Sequence, residues 1–138
     1  MTHIREILAD EDIAGAYELM AELRPHLQAD SFVAMVRRQQ REGYRLFGGF
    51  DESRLVTLAG VRDAHTLMRG PHLFVDDLVT LRGAQKKGHG AAMVRWLKTY
   101  ARERGFQRVY LDSRDTALGF YRKLGFNALT AIPCWIET

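Results

Sequence analysis

One stretch constrains the fold more than any other. Residues 73–112 read LFVDDLVTLRGAQKKGHGAAMVRWLKTYARERGFQRVYLD. An apolar run, a turn with three glycines and two lysines, an amphipathic run and a second apolar run follow one another. Met93, Leu97, Tyr100 and Ala101 recur at helical spacing, with Arg95, Lys98 and Arg102 turned away. Gly105 ends that helix, and FQRVYLD reads as a strand. Two strands joined by a helix of this length form a parallel pair with a crossover. Some part of the sheet is therefore parallel.

The sequence before residue 73 has another character. HIREIL alternates and reads as a first strand from His3 to Leu8. Asp10 caps a helix with the stripe Ile13, Ala16, Tyr17, Met20 and Leu23, which Pro25 ends. Asp30 or Ser31 caps a second helix with Phe32, Val33 and Val36 inward and Arg37, Arg38 and Arg41 outward, closed by Gly43. YRLFGGF and RLVTLAGVRD flank the turn DESR as a hairpin, and GPH marks a further reversal. After the crossover, TALGFYRKLG reads as a short helix and FNALTAIPCWIE as one or two final strands. The order β-α-α-β-β-β-α-β-α-β predicts a mixed α/β sheet, antiparallel first and parallel at the crossover, with helices on both faces. The 138 residues fit one domain spanning 1–138, and no linker or repeat divides them.

The 20 Lys and Arg are nearly offset by 17 Asp and Glu, which is weak ground for a nucleic-acid partner despite the basic run VRRQQR. One cysteine, Cys134, forms no internal disulfide and suits a reducing compartment. The acids in MTHIREILADEDIAG do not fit a signal peptide, and no apolar run reaches membrane-spanning length. These features lead us to expect a cytoplasmic chain without a membrane partner. The five histidines are scattered, so no metal site is expected.

A glycine turn opening a helix suits a phosphate, because the first helical amides lack intrahelical partners and the helix dipole is positive there. A P-loop would need Lys and Ser or Thr after its second glycine; His89 and Gly90 follow Gly88 instead. A dinucleotide fingerprint would need a third glycine where Met93 stands. The remaining reading is Gln85-Lys86-Lys87-Gly88-His89-Gly90, with the spacing Q-x-x-G-x-G. This turn, the preceding FVDDLVTL and the later FYRKLGF resemble the motifs of the GNAT superfamily of N-acetyltransferases. The element order extends the resemblance over nearly the whole chain.

The resemblance implies an enzyme that moves the acetyl group of acetyl-CoA directly to a primary amine, without a metal. It implies a cleft between FVDDLVTL and RVYLD, where the backbone of Leu78, Val79 and Thr80 pairs with the pantetheine arm. A bulge near Leu78 would expose an amide to the thioester carbonyl. Amides of Gln85, Lys86, Lys87, Gly88, His89 and Gly90 would hold the diphosphate, and the two lysines would add charge. Tyr121, in FYRKLGF, matches the tyrosine that protonates the departing CoA sulfur. Many members carry an asparagine where this chain has Arg114; Ser113 or Asp115 would replace its contact, and Lys123 would approach the adenosine 3′-phosphate.

An alkylamine with a pKa of roughly 10 is only about 0.1% neutral at pH 7, so a base or an electrostatic partner is needed. Asp76 and Asp77 are the candidates, two acids inside an apolar strand. Strand alternation lets at most one of them point into the cleft. By the resemblance, LRPHLQAD and TAIPCWIE shape the acceptor pocket, with Arg24 as a carboxylate partner and Trp135 as an apolar wall. The acceptor, a small-molecule amine or a peptide amine, stays open at this point. So do a noncatalytic acyl-CoA sensor as the rival function and the homodimer that is common in the family.

Overall fold

The structure is a computed structural model that describes residues 1–138. Five strands form one sheet in the order β1-β2-β3-β4-β5. They are β1 (Thr2–Glu6), β2 (Tyr44–Asp51), β3 (Arg54–Thr66), β4 (Gly70–Thr80) and β5 (Val109–Leu111). The first four are antiparallel neighbours, and β5 lies parallel to β4. This matches the expected hairpins followed by a crossover.

Helices cover both faces. On one side lie α1 (Asp10–Gly15), α2 (Tyr17–Leu23) and α3 (Ala29–Arg41). Ile13, Leu19, Met20, Phe32 and Val36 pack there on Ile7, Leu46 and Leu58. On the other side α4 (His89–Glu103) sets Met93, Leu97 and Ala101 against Phe47, Val61, Leu73 and Val75. Trp96 and Tyr100 stack and lean on Phe47, extending that core to the helix flank. The short helix α5 (Leu118–Lys123) follows β5.

Three expectations need correction. The first helix is divided at Ala16 into α1 and α2, beside Gly15, whose helix propensity is poor. The helix caps lie at Ala9 and Gln28, so Asp10 and Asp30 stand in first turns, where their charge still favours the helix dipole. The final strands are absent: residues 127–138 adopt no regular structure. The segment is rich in strand-forming residues, but a strand exists only with a ladder partner, and residues 127–138 pair with no strand of the sheet although the outer edge of β5 is open. Pro133 also removes one backbone donor.

A defect in β4 positions the functional region. Its register against β3 runs Gly60↔Asp77 and then Val61↔Val75, which leaves Asp76 as an extra, bulged residue. The β4–β5 ladder covers only Leu73 to Val75 against Val109 to Leu111. The bulge thus falls one residue beyond the last β4–β5 pair. A bulge bends its strand and strengthens its twist. Residues 76–80 of β4 keep β3 as a neighbour and have no ladder partner on the β5 side.

Candidate active site

The opening beyond Val75 and Leu111 is closed at one end by the first turn of α4. Gly88 precedes the helix at φ 85°, a left-handed conformation that glycine adopts without a Cβ penalty. No side chain caps this end, and no acid occupies the first turn. The leading amides are free to bind an anion. A Cβ on Gly90 would stand 3.0 Å from Thr80 Oγ1 and 3.4 Å from Phe120 Cζ. Gly90 therefore keeps a narrow space open between the end of β4 and α5. These features fit a diphosphate carried on a long, thin arm.

The other members of the turn are placed as follows. His89 is buried and turns back toward the first strands, sharing a 2.8 Å hydrogen bond through Nδ1 with Thr2 Oγ1. Its ring anchors the start of α4, so only its backbone amide faces the turn as a binding group. Gln85 Nε2 donates to the Thr80 carbonyl at 3.4 Å. Lys86 takes φ 68°, and both Lys86 and Lys87 are exposed. Leu78 packs toward α4 and Val79 toward the opposite core. The Thr80 and Thr57 hydroxyls lie 3.3 Å apart.

Tyr121 is buried between the rings of Phe120 and Phe126. It borders a cavity with Leu111, Asp112 and Ser113 at the end of β5, lined by β5, α5 and the segment after it and by no residue of β4. Burial pushes its phenol pKa above the usual 10. No protein group hydrogen-bonds its hydroxyl, and that oxygen is not sealed from solvent. Tyr121 thus offers a protonated donor at neutral pH. Ser113 Oγ donates to the Arg114 carbonyl at 2.8 Å, while Asp115 and Lys123 are exposed.

The two aspartates overturn the alternation argument. The bulge reverses the side-chain parity of β4, so Val75 and Leu78 both pack toward α4. Asp76 and Asp77 between them border one cleft on the opposite face, with Arg24, Gln39, Glu42, Tyr44 and Arg62. This cleft has a volume of about 480 Å³. Arg62 grips Asp76 with two bonds of 2.6 and 2.7 Å. Arg24 Nε donates to Asp77 Oδ1 at 3.0 Å, and its Nη2 donates to the Asp76 carbonyl at 2.9 Å. Arg24 is therefore committed to β4. Trp135 stands 84% exposed in the C-terminal segment and borders neither this cleft nor the α4 turn.

Tyr44 completes this network and was not selected from the sequence. Its buried hydroxyl donates to Asp77 Oδ2 at 2.8 Å. Burial, and next the negative charge of Asp77, raise its pKa well above the usual 10. Gly60 lies directly beneath: a Cβ there would overlap the Tyr44 hydroxyl. A glycine inside a strand signals a bulge or a close approach. The sequence LAGVRD carried that signal, and Gly60 provides both. Gly60→Ala is expected to expel the tyrosine and to lower stability by about 1–3 kcal/mol, the usual cost of overpacking. Chemical denaturation of the variant checks this.

The Tyr44 pKa also has a stability consequence. The folded state holds the phenolic proton more tightly than the unfolded chain. Its contribution is complete below the unfolded pKa of about 10 and fades as pH rises toward the folded value. Stability should fall above pH ~10, and less steeply in Tyr44→Phe. Equal slopes in urea titrations at alkaline pH would contradict this assignment.

The fold, the parted strands and the open helix end define an acyl-CoA-type transferase. The sequence profile of the Acetyltransferase (GNAT) family matches residues 4–126, and the chain belongs to this family of acetyl-CoA-using enzymes. It is 30% identical over 131 residues to "Uncharacterized N-acetyltransferase YhdJ" of Bacillus subtilis (strain 168), covering 91% of this chain and 92% of that one. It is 27% identical over 128 residues to the glucosamine 6-phosphate N-acetyltransferase of Trypanosoma brucei brucei, with 88% and 87% covered. Among solved structures, the aminoglycoside N-acetyltransferase AAC(6')-Iy in complex with CoA superposes with a TM-score of 0.84. Coverage is 99% and 95%, and at 14% identity this likeness concerns the fold. No helix is long and apolar enough to cross a membrane, and no three His, Cys, Asp or Glu side chains gather as a metal-holding group.

Proposed function

We propose that this chain catalyses direct acetyl transfer from acetyl-CoA to a primary amine held in the cleft of Asp76 and Asp77. The observation that carries the reading is the coincidence at one point of β4. There the ladder to β5 ends, the bulge begins, and two acids emerge on one face. Acetyl-CoA supplies the activated thioester. The chain's residues do the rest. Amides of Gln85 to Gly90 hold the diphosphate, with Lys86 and Lys87 adding charge. The free edge of Leu78, Val79 and Thr80 pairs with the arm. Tyr121 gives its proton to the sulfur as the thiolate leaves, which general-acid catalysis rewards.

Asp77 is the better candidate for the amine proton. Its side chain is 14% exposed against 26% for Asp76, and two donors on separate elements orient it. Asp76 is neutralised by the bidentate Arg62 fork. Glu42 borders the same cleft and takes part in no ion pair, so the cleft carries one negative charge more than its two arginines offset. That balance favours a cationic acceptor and argues against Arg24 as its carboxylate partner. The acceptor is a small-molecule amine on this reading; a peptide amine would need the same ammonium contact.

The test is a panel of amines incubated with acetyl-CoA, with release of free CoA measured. Turnover with a subset of ammonium compounds is expected. Binding of acetyl-CoA without turnover on any amine or peptide would favour a sensor. For the acids, Asp77→Asn should lower kcat/KM about tenfold or more beyond Asp76→Asn and should alter the acidic limb of the pH–rate profile. Equal, small effects from both variants would move the proton to a water chain.

A further inference from the structure

Gln85 to Gly88 are exposed, and no side chain caps the start of α4. Gly88 adds no constraint of its own, because a Cβ built there would meet nothing within 4 Å. The Ala92 amide donates to the Gly88 carbonyl at 2.9 Å, so the peptide group before His89 moves with the first turn of α4. Within that turn only His89 is buried; the next buried side chain, Met93, lies one turn further on. Helix ends fray, and a frayed turn no longer aims its amides at an anion. What keeps this turn formed is therefore the seat of the His89 ring.

That seat is the end of a ladder. Thr2 and Asp51 are the terminal cross-strand pair of β1 and β2, and the ring touches both. Nδ1 lies 2.8 Å from Thr2 Oγ1, a hydrogen bond, and Nε2 lies 3.9 Å from Asp51 Oδ2, beyond hydrogen-bond reach. Burial strips a polar ring of water, so a partner for it has to come from the chain. Thr2 supplies that partner from an edge strand, since β1 pairs with β2 alone. The end of an edge strand is where local opening costs least.

Given that the α4 turn holds the diphosphate, the reading on which this step rests, we propose that His89 is a positioning residue for acetyl-CoA. Its ring, seated on Thr2, keeps the first turn of α4 formed and makes cofactor affinity depend on the docking of β1. With the ring released, acetyl-CoA must select the fraction of molecules whose first turn is formed, and its affinity falls by that fraction. Linkage makes the coupling reciprocal: acetyl-CoA steadies the end of β1 by the factor by which docked β1 tightens acetyl-CoA. Thr2 lies outside the turn, so its hydroxyl reaches the cofactor only through His89.

The experiment compares the native chain with Thr2→Val, Thr2→Ser, His89→Leu and the double variant Thr2→Val with His89→Leu. Acetyl-CoA affinity is read by calorimetry, and protection of the Thr2–Glu6 amides by hydrogen exchange with and without acetyl-CoA. Valine keeps the branched shape of threonine and removes its hydroxyl, whereas serine keeps the hydroxyl. Thr2→Val should weaken acetyl-CoA binding about five- to tenfold, the scale of one lost hydrogen bond to a buried group, and Thr2→Ser should restore it. In the His89→Leu background, Thr2→Val should change the affinity by less than about twofold. Acetyl-CoA should slow exchange in β1 of the native chain and not in Thr2→Val. A merely structural role for the bond would lower the melting temperature and leave that ligand-dependent protection unchanged. If His89→Leu fails to fold, the two Thr2 variants still decide. Native affinity in Thr2→Val, no rescue by serine, or β1 exchange indifferent to bound acetyl-CoA would each overturn the role of His89 while the diphosphate reading stands. A native chain that does not bind acetyl-CoA would overturn both.

Discussion

Tyr121→Phe lowers kcat by about 10²- to 10⁴-fold while acetyl-CoA binds with nearly unchanged affinity. That range is what a positioned general acid contributes. The side chain sits at the end of β5, and burial holds its phenol in the protonated form well past neutral pH. The substitution deletes one oxygen that bonds to no protein group, so neither packing between Phe120 and Phe126 nor the fold should suffer. The loss therefore falls on kcat. Single-turnover rates under saturating acetyl-CoA, beside calorimetric affinities, measure the two halves separately. The activity of the native chain should also show no loss from this group below pH ~10, where an ordinary phenol ionises. A kcat within twofold of native when chemistry is rate-limiting would remove Tyr121 from the mechanism.

Gly90→Val abolishes measurable acetyl-CoA binding, an effect of at least a hundredfold on Kd, and leaves the chain folded. A single Cβ already approaches Thr80 Oγ1 to 3.0 Å and Phe120 Cζ to 3.4 Å. A methyl can be admitted by a shift of a few tenths of an ångström, so Gly90→Ala should bind with a modest penalty. Two further methyls would occupy the space between β4 and α5 that the diphosphate needs. Binding of acetyl-CoA is the quantity to compare across the native chain, Gly90→Ala and Gly90→Val by calorimetry, with melting temperature as the control for folding. A valine variant that binds as tightly as the native chain would place the diphosphate elsewhere.

The crossover from β4 through α4 to β5 was legible because periodicity, glycine punctuation and length all agreed on it. The motif turn was legible for the same reason: Gly88 and Gly90 perform distinct tasks, one of backbone conformation and one of space. A bulge was expected near Leu78 from the resemblance alone and lies two residues away at Asp76; no hydrophobic period marks a single extra residue, so its effect on strand parity was not carried through. From it came the error about Asp76 and Asp77, which was sound for a regular strand and fails at an irregular one. Tyr44 was invisible as a site residue, since its partners lie on β3 and β4 and no local spacing joins them. The C-terminal segment was misjudged for a physical reason as well. Strand propensity states what a segment can do, whereas a strand requires ladder pairing, and residues 127–138 make none with the open edge of β5.

A crystal structure with acetyl-CoA bound tests the central claim most directly. The diphosphate should lie on the amides that open α4, the arm should run along residues 78–80 of β4, and the sulfur should come within hydrogen-bond reach of the Tyr121 hydroxyl. Acetyl-CoA bound away from the α4 turn, or β4 and β5 laddered together beyond Val75 and Leu111, would contradict it.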